Sequence, residues 1–253
     1  MSGTAFQNLF DKQSQAYSLY RPGYPEELFE FVLKHVPQRE LAWDAGTGSG
    51  QAALRLAESF EKVIATDSSE AQISKAPVHA KISFRVGAET QSEIADSSCD
   101  LVTAASAIHW FDLSSFYPEV KRVLKDGGVI AAWCYSWLIV PDEIKDRIEH
   151  FYKSIEPYWP APLEHVRTEY RNLDFPFEEI PATKIIQDAS WTLERMLGFY
   201  SSWSGVQVQR DQTGKDSVQE LAESLRPLKL EDSIEVKIPI HLRVGRHLKE
   251  RNS

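Results

Sequence analysis

The spacing of hydrophobic positions changes twice along this chain. From 4 to 20, Phe6, Leu9, Phe10, Gln13, Tyr17 and Tyr20 fall at three- and four-residue steps, which predicts a helix with one largely apolar stripe. "YRPGYP" (20–25) ends it, since two prolines and Gly23 break helix. "PEELFEFVLKHV" restarts a helix, with Pro25 at its first turn and acids close behind. Five short apolar runs follow: "ELAWD" (40–44), "KVIATD" (62–67), "ISFRV" (82–86), "CDLVTAA" (99–105) and "GVIAAWC" (128–134). "QAALRLAESF" (51–60) lies between the first two and puts Ala52, Ala53, Leu56, Ala57 and Phe60 on one helical face. "SSFYPEVKRVLKDGG" (114–128) reads as a helix capped by serines and closed by glycines. Strands alternating with helices predict an α/β, doubly wound and mostly parallel sheet with both faces covered.

After about 135 that rhythm stops. The stretch to about 182 is rich in aromatics and proline, with amphipathic helical pieces. Beyond it, "TKIIQDASW" (183–191) predicts a strand, "TLERMLGFYSSWS" (192–204) a helix with a threonine cap, and "SVQELAESLRPL" (217–228) another helix. Ile234, Val236, Ile238, Ile240, Leu242 and Val244 then alternate without a miss, the signature of a strand. Pro239 in its middle calls for an edge position or a bulge. The expected organisation is one domain over 1–253, with a helical cap (1–37), a ligand-binding core (38–134), a lid insertion (135–182) and C-terminal strands and helices (183–247).

Composition narrows the classes. The 253 residues are 42% hydrophobic and 26% charged, ordinary for a soluble globular chain. A net charge of −9 argues against nucleic-acid binding as the main activity. Cys99 and Cys134 both fall in strand-like runs, too few for a disulfide framework or a four-cysteine zinc site, and read as buried thiols in a reducing compartment. The first residues form no signal peptide, and no apolar run reaches the ~18 residues of a membrane span. A cytoplasmic protein without metal is expected, and its oligomeric state is left open.

Candidate chemistry centres on "LAWDAGTGSG" (41–50). A dinucleotide turn has the spacing G-x-G-x-x-G, and the helix behind it receives a pyrophosphate. Here Gly46, Gly48 and Gly50 alternate, Gln51 stands where that pattern wants glycine, and Asp44 closes the strand. An acid sits badly beside pyrophosphate and well beside an ammonium. S-adenosylmethionine carries an ammonium, a sulfonium and an adenosine without phosphate. Asp67, at the end of the next strand, would accept hydrogen bonds from ribose hydroxyls, though an NAD site has an acid there too.

These segments resemble the class I S-adenosylmethionine-dependent methyltransferases. "WDAGTGSGQAA" is similar to their first motif, "VIATD" to the acidic loop, "RVGAET" (85–90) to the adenine segment, "CDLVTAASAIHWFD" (99–112) to the fourth-strand motif, and "EVKRVLKDGGVIAAW" (119–133) to the fifth-strand unit. "YRPGYP", "AIHWFD" and "IPIHLRVGR" resemble, more narrowly, the methyltransferase type 11 proteins of the trans-aconitate methyltransferase-like and plant embryo-abundant group. The resemblance implies a Rossmann-like, seven-stranded sheet with an antiparallel last strand, S-adenosyl-L-methionine as cofactor and a small-molecule acceptor. It implies that Gly46, Thr47, Gly48 and Gly50 line the methionine part with Asp44 near the ammonium. Asp67 would hold the ribose with Ser68 following, Ala88 and Glu89 would meet the adenine, and Ala105 and Ser106 would floor the sulfonium. Tyr17 and Arg21 would cover the cofactor. Relatives often carry aspartate where this chain has Gly87, which shifts the adenine amino contact to Glu89 or backbone.

For the acceptor, His109 at the end of a central strand reads as a base, a substrate hydrogen-bond donor or a positioning residue beside Trp110 and Phe111. Tyr158 and Trp159 read as lid residues, as a satellite core, or as both. Arg167 and Arg171 read as a carboxylate clamp or as solvated surface. A carboxylate acceptor, already ionised, needs no base, whereas a hydroxyl or amine acceptor often does; O-methylation of a carboxylate is one reaction the sequence allows, and it leaves O-, N- and C-methylation open. The rival readings are a non-catalytic binding protein of the same fold and a nicotinamide oxidoreductase, the latter disfavoured by Gln51.

Overall fold

The computed structural model describes residues 20–228, 230 and 232–249. The helix expected over 4–20 lies outside them except for Tyr20, and so does Tyr17. The described elements run α1 (Glu26–Lys34), β1 (Leu41–Ala45), α2 (Gln51–Ser59), β2 (Lys62–Asp67), α3 (Glu70–Ile73), β3 (Ile82–Val86), β4 (Cys99–Ala105), α4 (Leu113–Val123), β5 (Leu124–Tyr135), α5 (Asp142–Ile155), α6 (Glu164–Arg167), β6 (Glu178–Ile180), β7 (Ile185–Trp191), α7 (Leu193–Ser201), α8 (Ser204–Thr213), α9 (Ser217–Leu225) and β8 (Ile234–Arg246). They divide into two compact units. One holds Gly23–Tyr135, His165–Ile185 and Ile240–Ser253, and the other Met1–Pro22, Ser136–Glu164 and Ile186–Pro239.

The strand order is β3-β2-β1-β4-β5-β8-β6, with β7 pairing β8 off that path, giving eight strands. β1 to β5 are parallel, and β8 runs antiparallel to β5 and β6. Seven strands were expected. The eighth arises because Pro181, which has no N–H to give a ladder, separates β6 from β7. The expected antiparallel last strand is present.

In the sheet-bearing unit the strands are buried on both faces, so their apolar runs are continuous. One face packs Ala42, Val63, Ala65, Leu101, Val129, Ala131 and Trp133 under α1 and α2. The other packs Trp43, Ile64, Val102, Ala104, Ile130, Ala132 and Cys134 under α4 and the 170–175 segment. α2 buries Ala52, Ala53, Leu56 and Ala57, the predicted stripe. α4 begins on Asp112, whose carboxylate accepts from Ser114 N (3.1 Å), Ser114 Oγ (2.7 Å) and Ser115 Oγ (2.7 Å). The expected serine caps are therefore donors to the true cap. The glycines at 127 and 128 do not close the helix either. The chain turns extended at Leu124, and Gly127, at φ +78°, absorbs a register shift within β5 between the pairs Cys99–Leu124 and Leu101–Val129.

The other unit has its own packing. α5 buries Ile144, Ile148, Phe151 and Ile155, and α7 is capped by Thr192 as expected, accepting from Arg195 N. Trp137, Tyr152, Trp159 and Trp203 pack with centroids 4.2–5.7 Å apart. Pro239 sits beside an irregularity. Tyr135 pairs Ile240, but the next bridge joins Ile139 to Lys237, so the 135–139 side carries one extra residue.

One buried acid ties the loop after β3 to α4. Glu119 accepts from Ser92 N (2.8 Å) and Ser92 Oγ (2.6 Å), and Arg122 bonds it through Nε and NH2, both at 2.8 Å, while NH1 donates to Ile94 O (2.8 Å). The Arg122 guanidinium, helped by Ser92, holds the Glu119 carboxyl down at about 2 against the opposing effect of burial. A depressed carboxyl stabilises the fold fully above its unfolded value near 4.5 and loses that contribution as pH falls toward 2. Glu119→Gln is expected to cost about 1–3 kcal/mol in urea unfolding at pH 7, with the gap to wild type narrowing between pH 4.5 and 2. A gap independent of pH would contradict it.

Candidate active site

The site builds from Asp44, at the carboxyl end of β1 and wholly buried. Its Oδ1 accepts from Thr103 Oγ1 (2.7 Å), directly opposite on β4, and its Oδ2 from Thr47 Oγ1 (2.5 Å) in the following turn. Burial pushes its carboxyl up to about 6, and the two threonine bonds limit the rise.

The turn after β1 follows from its glycines. Gly46, Gly48 and Gly50 have φ of +67°, +57° and +92°, in the left-handed region that glycine adopts without strain. A side chain at Gly46 would stand 2.6 Å from Ala107 Cβ and 2.9 Å from Phe111 Cζ, and one at Gly50 would stand 2.7 Å from the Phe84 ring. At Gly48 it would meet nothing within 4 Å. Two glycines thus admit close packing, and the third faces open space. Thr47 N donates to Thr66 O (2.9 Å), anchoring the turn to β2.

Asp67, ending β2, receives Gly48 N at Oδ2 (2.8 Å) and Ser69 N at Oδ1 (2.9 Å). Ser68 lies between, and Ser69 caps α3 by accepting from Gln72 N. Gly87 N donates to Asp67 O (3.0 Å), which lays the Ala88–Glu89 loop against the end of β2. At the end of β4, Ala105 leads to Ser106, held at φ +51° while its N–H donates to Trp133 O (2.7 Å). Tyr24 OH donates to Ser106 Oγ (3.2 Å). His109 and Trp110 follow on a short 3₁₀ turn, with ring centroids 4.9 Å apart. His109 is 7% exposed, and its Nδ1 lies 2.8 Å from the hydroxyl of Tyr170.

Every anticipated site residue from Asp44 to Trp110 therefore lies in one unit, around the carboxyl ends of β1, β2, β3 and β4, where open parallel sheets bind ligands. Arg21, Tyr158 and Trp159 belong to the other unit. There Arg21 donates to Ser202 O (3.4 Å) and stacks 5.6 Å from the Phe199 ring. Tyr158 ends a 3₁₀ turn, and Trp159 packs edge-on to Trp137 and Trp203. Arg171, on the sheet-bearing unit, is an exposed residue ion-paired with Glu169. Thr103 and Tyr24 did not emerge from the sequence as site residues, and Tyr170 emerged only as one aromatic of the insertion, not as a partner of His109. Thr103 was the most accessible, because it follows from aligning β4 beside β1.

The site suits a cationic ligand without phosphate. The turn has two carboxylates beside it and no Lys, Arg or His within 41–50. Gly48 leaves open the volume a side chain would fill. Fold and site define a class I S-adenosylmethionine-dependent methyltransferase. A family model described as a methyltransferase domain matches residues 43–132. A Dictyostelium discoideum protein named as a methyltransferase is 33% identical over 249 residues, covering 94% of this chain and 95% of that protein. A Saccharomyces cerevisiae protein named as an S-adenosylmethionine-dependent methyltransferase is 33% identical over 132 residues, covering 49% of this chain and 45% of that protein. A solved structure from Anaeromyxobacter dehalogenans, described as a type II methyltransferase, superposes with a TM-score of 0.83 at 37% identity, covering 91% of this chain and 100% of that one. The chain belongs to the methyltransferase family, and S-adenosylmethionine is its cofactor.

The three glycines separate packing from binding. Gly48→Ala is expected to lower stability by about 1 kcal/mol from its φ alone, yet to weaken S-adenosylhomocysteine at least tenfold. Gly46→Ala and Gly50→Ala, each adding a clash, are expected to lower the urea midpoint further. Equal stability losses in all three would contradict the packing assignment.

Proposed function

We propose that this enzyme transfers the methyl group of S-adenosylmethionine to an oxygen of a small carboxylic acid, a reading supported by the resemblance of its "YRPGYP", "AIHWFD" and "IPIHLRVGR" segments to the trans-aconitate methyltransferase-like group. The observation that carries the cofactor half is the ordered set of a buried Asp44, an open Gly48 and Asp67 along one sheet edge. When bound, the sulfonium supplies an activated methyl carbon. The protein's part is to bind, align and exclude water. Gly46, Thr47, Gly48 and Gly50 cradle the methionine end, and Asp44 attracts its ammonium. Asp67 accepts the ribose hydroxyls with Ser68 beside it, while Ala88 and Glu89 border the adenine. Ala105 and Ser106 form the floor, and His109 and Trp110 face the acceptor. The carboxylate assignment rests on chemistry: an acceptor already ionised needs no base. The two buried free thiols suit a reducing compartment such as the cytosol. No helix among the described residues is long and apolar enough to cross a membrane.

Titration calorimetry with S-adenosylhomocysteine tests the cofactor half. Asp67→Asn, melting near wild type, is expected to bind about tenfold more weakly, one lost charge-assisted contact. A methyl-transfer screen across carboxylic acids, phenols and amines tests the acceptor, and turnover confined to phenols or amines would overturn the carboxylate.

A pH dependence follows from Asp44. Its raised carboxyl favours the unbound fold below the ordinary aspartate range and withdraws that contribution as pH rises through about 6. Its attraction for an ammonium has the opposite sense and is present only above that value. Affinity for S-adenosylhomocysteine is expected to hold from pH 8 to 7 and to fall about tenfold by pH 5. A flat profile would remove Asp44 from ammonium binding.

A further inference from the structure

We propose that Asp44 acts on the cofactor's ammonium through Thr47 and not by direct contact. Thr47 and Thr103 hold the carboxylate behind the turn, and the Thr47 hydroxyl oxygen, its own hydrogen given to Asp44, is the atom that accepts from the ammonium. The proposal deepens the cofactor assignment above and rests on the methionine end lying against the glycine turn.

Asp44 and Thr103 have no exposed surface, whereas Thr47 keeps 7% of its own. Both carboxylate oxygens of Asp44 are already taken, Oδ1 by Thr103 Oγ1 at 2.7 Å and Oδ2 by Thr47 Oγ1 at 2.5 Å. A ligand nitrogen that touched Asp44 would have to part it from one of these threonines. Thr47, by contrast, stands in the turn itself. Its N–H goes to Thr66 O (2.9 Å), its carbonyl accepts from Gly50 N (3.0 Å), and its hydroxyl hydrogen goes to Asp44. What its side chain has left is the lone pairs of Oγ1.

That leaves a hydroxyl which can only accept. An ammonium has only donors to offer, so the two match, and donation to a carboxylate makes the hydroxyl oxygen a stronger acceptor. A phosphate oxygen, which needs a donor, finds none there. The arrangement also has a pH sense. Once protonated, Asp44 can donate to Thr47 Oγ1, and the hydroxyl is then released to turn its hydrogen toward the ligand. The charged group that bears on Asp44 is Asp67 on β2, whose negative charge favours the protonated form, while the bonds from Thr47 and Thr103 oppose it. Thr103 is therefore a positioning residue, acting on the ligand only through Asp44 and Thr47.

Titration calorimetry of the full-length protein with two ligands tests this. S-adenosylhomocysteine carries the ammonium, and 5′-methylthioadenosine lacks the whole amino-acid end. Thr47→Val is expected to weaken S-adenosylhomocysteine about tenfold and to leave methylthioadenosine within about twofold. Thr47→Ser, which restores the hydroxyl, is expected to return S-adenosylhomocysteine to within about threefold of wild type. Should the valine variant not fold, Thr47→Ala removes the same hydroxyl with less bulk and gives the same reading. Thr103→Val, with Thr47 intact, is expected to move the fall in S-adenosylhomocysteine affinity to a pH above the wild-type value of about 6, with affinity at pH 8 unchanged and methylthioadenosine flat throughout. Full S-adenosylhomocysteine affinity in Thr47→Val, with the pH dependence kept, would show that Asp44 meets the ammonium directly and overturn the proposal. So would equal losses for both ligands, a serine variant as weak as the valine one, or an unmoved pH profile in Thr103→Val. A flat wild-type profile would go further and remove Asp44 from ammonium binding altogether.

Discussion

A carboxylate with no water around it must be hydrogen-bonded, or its burial costs several kcal/mol. Asp44 is that carboxylate, and the arrangement of the site starts from satisfying it. The strand opposite supplies Thr103 in direct register, and the turn beyond supplies Thr47. Because Thr47 also gives its backbone N–H to Thr66, the clamp around one acid joins β1, β2 and β4 at their carboxyl ends. A glycine turn with no such anchor has many conformations to choose from. Here one side chain is fixed at each end of it.

Packing extends this order outward. Gly46 admits Ala107 and Phe111 at distances a side chain would forbid, so the glycine turn and the 106–111 turn are held against each other. The groups that would bind the cofactor and the histidine that would face the acceptor consequently share one rigid edge. Tyr170 reaches that edge from a segment 61 residues away in the chain, and Arg243 on β8 fastens the segment to the sheet. The antiparallel last strand is thus more than an edge to the sheet, since it carries the cation that holds the partner of His109.

The sheet was legible because fully buried parallel strands appear as unbroken apolar runs. β2, β3 and β4 match their predicted limits, including β3, which is a half-exposed edge strand. The glycine turn and the two acids were legible because their spacing is local. Errors came where one residue type serves two purposes. Gly127 and Gly128 were read as a helix terminus and belong to a strand irregularity, and Ser114 and Ser115 were read as caps and donate to one. Tyr170 was illegible for a different reason. No local pattern marks a tyrosine that meets its histidine only through tertiary structure. The aromatic insertion lies between these cases: its composition showed a cluster, and only the fold shows that Trp159 packs edge-on to both Trp137 and Trp203.

The same acid that organises the turn also bears on ligand choice. With its carboxyl raised to about 6, Asp44 is mostly ionised at pH 7 and gives up its charge only as pH falls through that value. A cation brought beside it would complete the ionisation, and part of the desolvation already incurred on folding would then be returned as attraction. A phosphate would do the reverse, driving the acid to its protonated form and meeting Asp67 a few residues away, with no basic side chain in the turn to offset either. Discrimination between a sulfonium cofactor and a dinucleotide therefore does not rest on glycine spacing alone. With Asp44 beside the ammonium as proposed, it would also draw on the charge state of a residue that the fold buries and hydrogen-bonds.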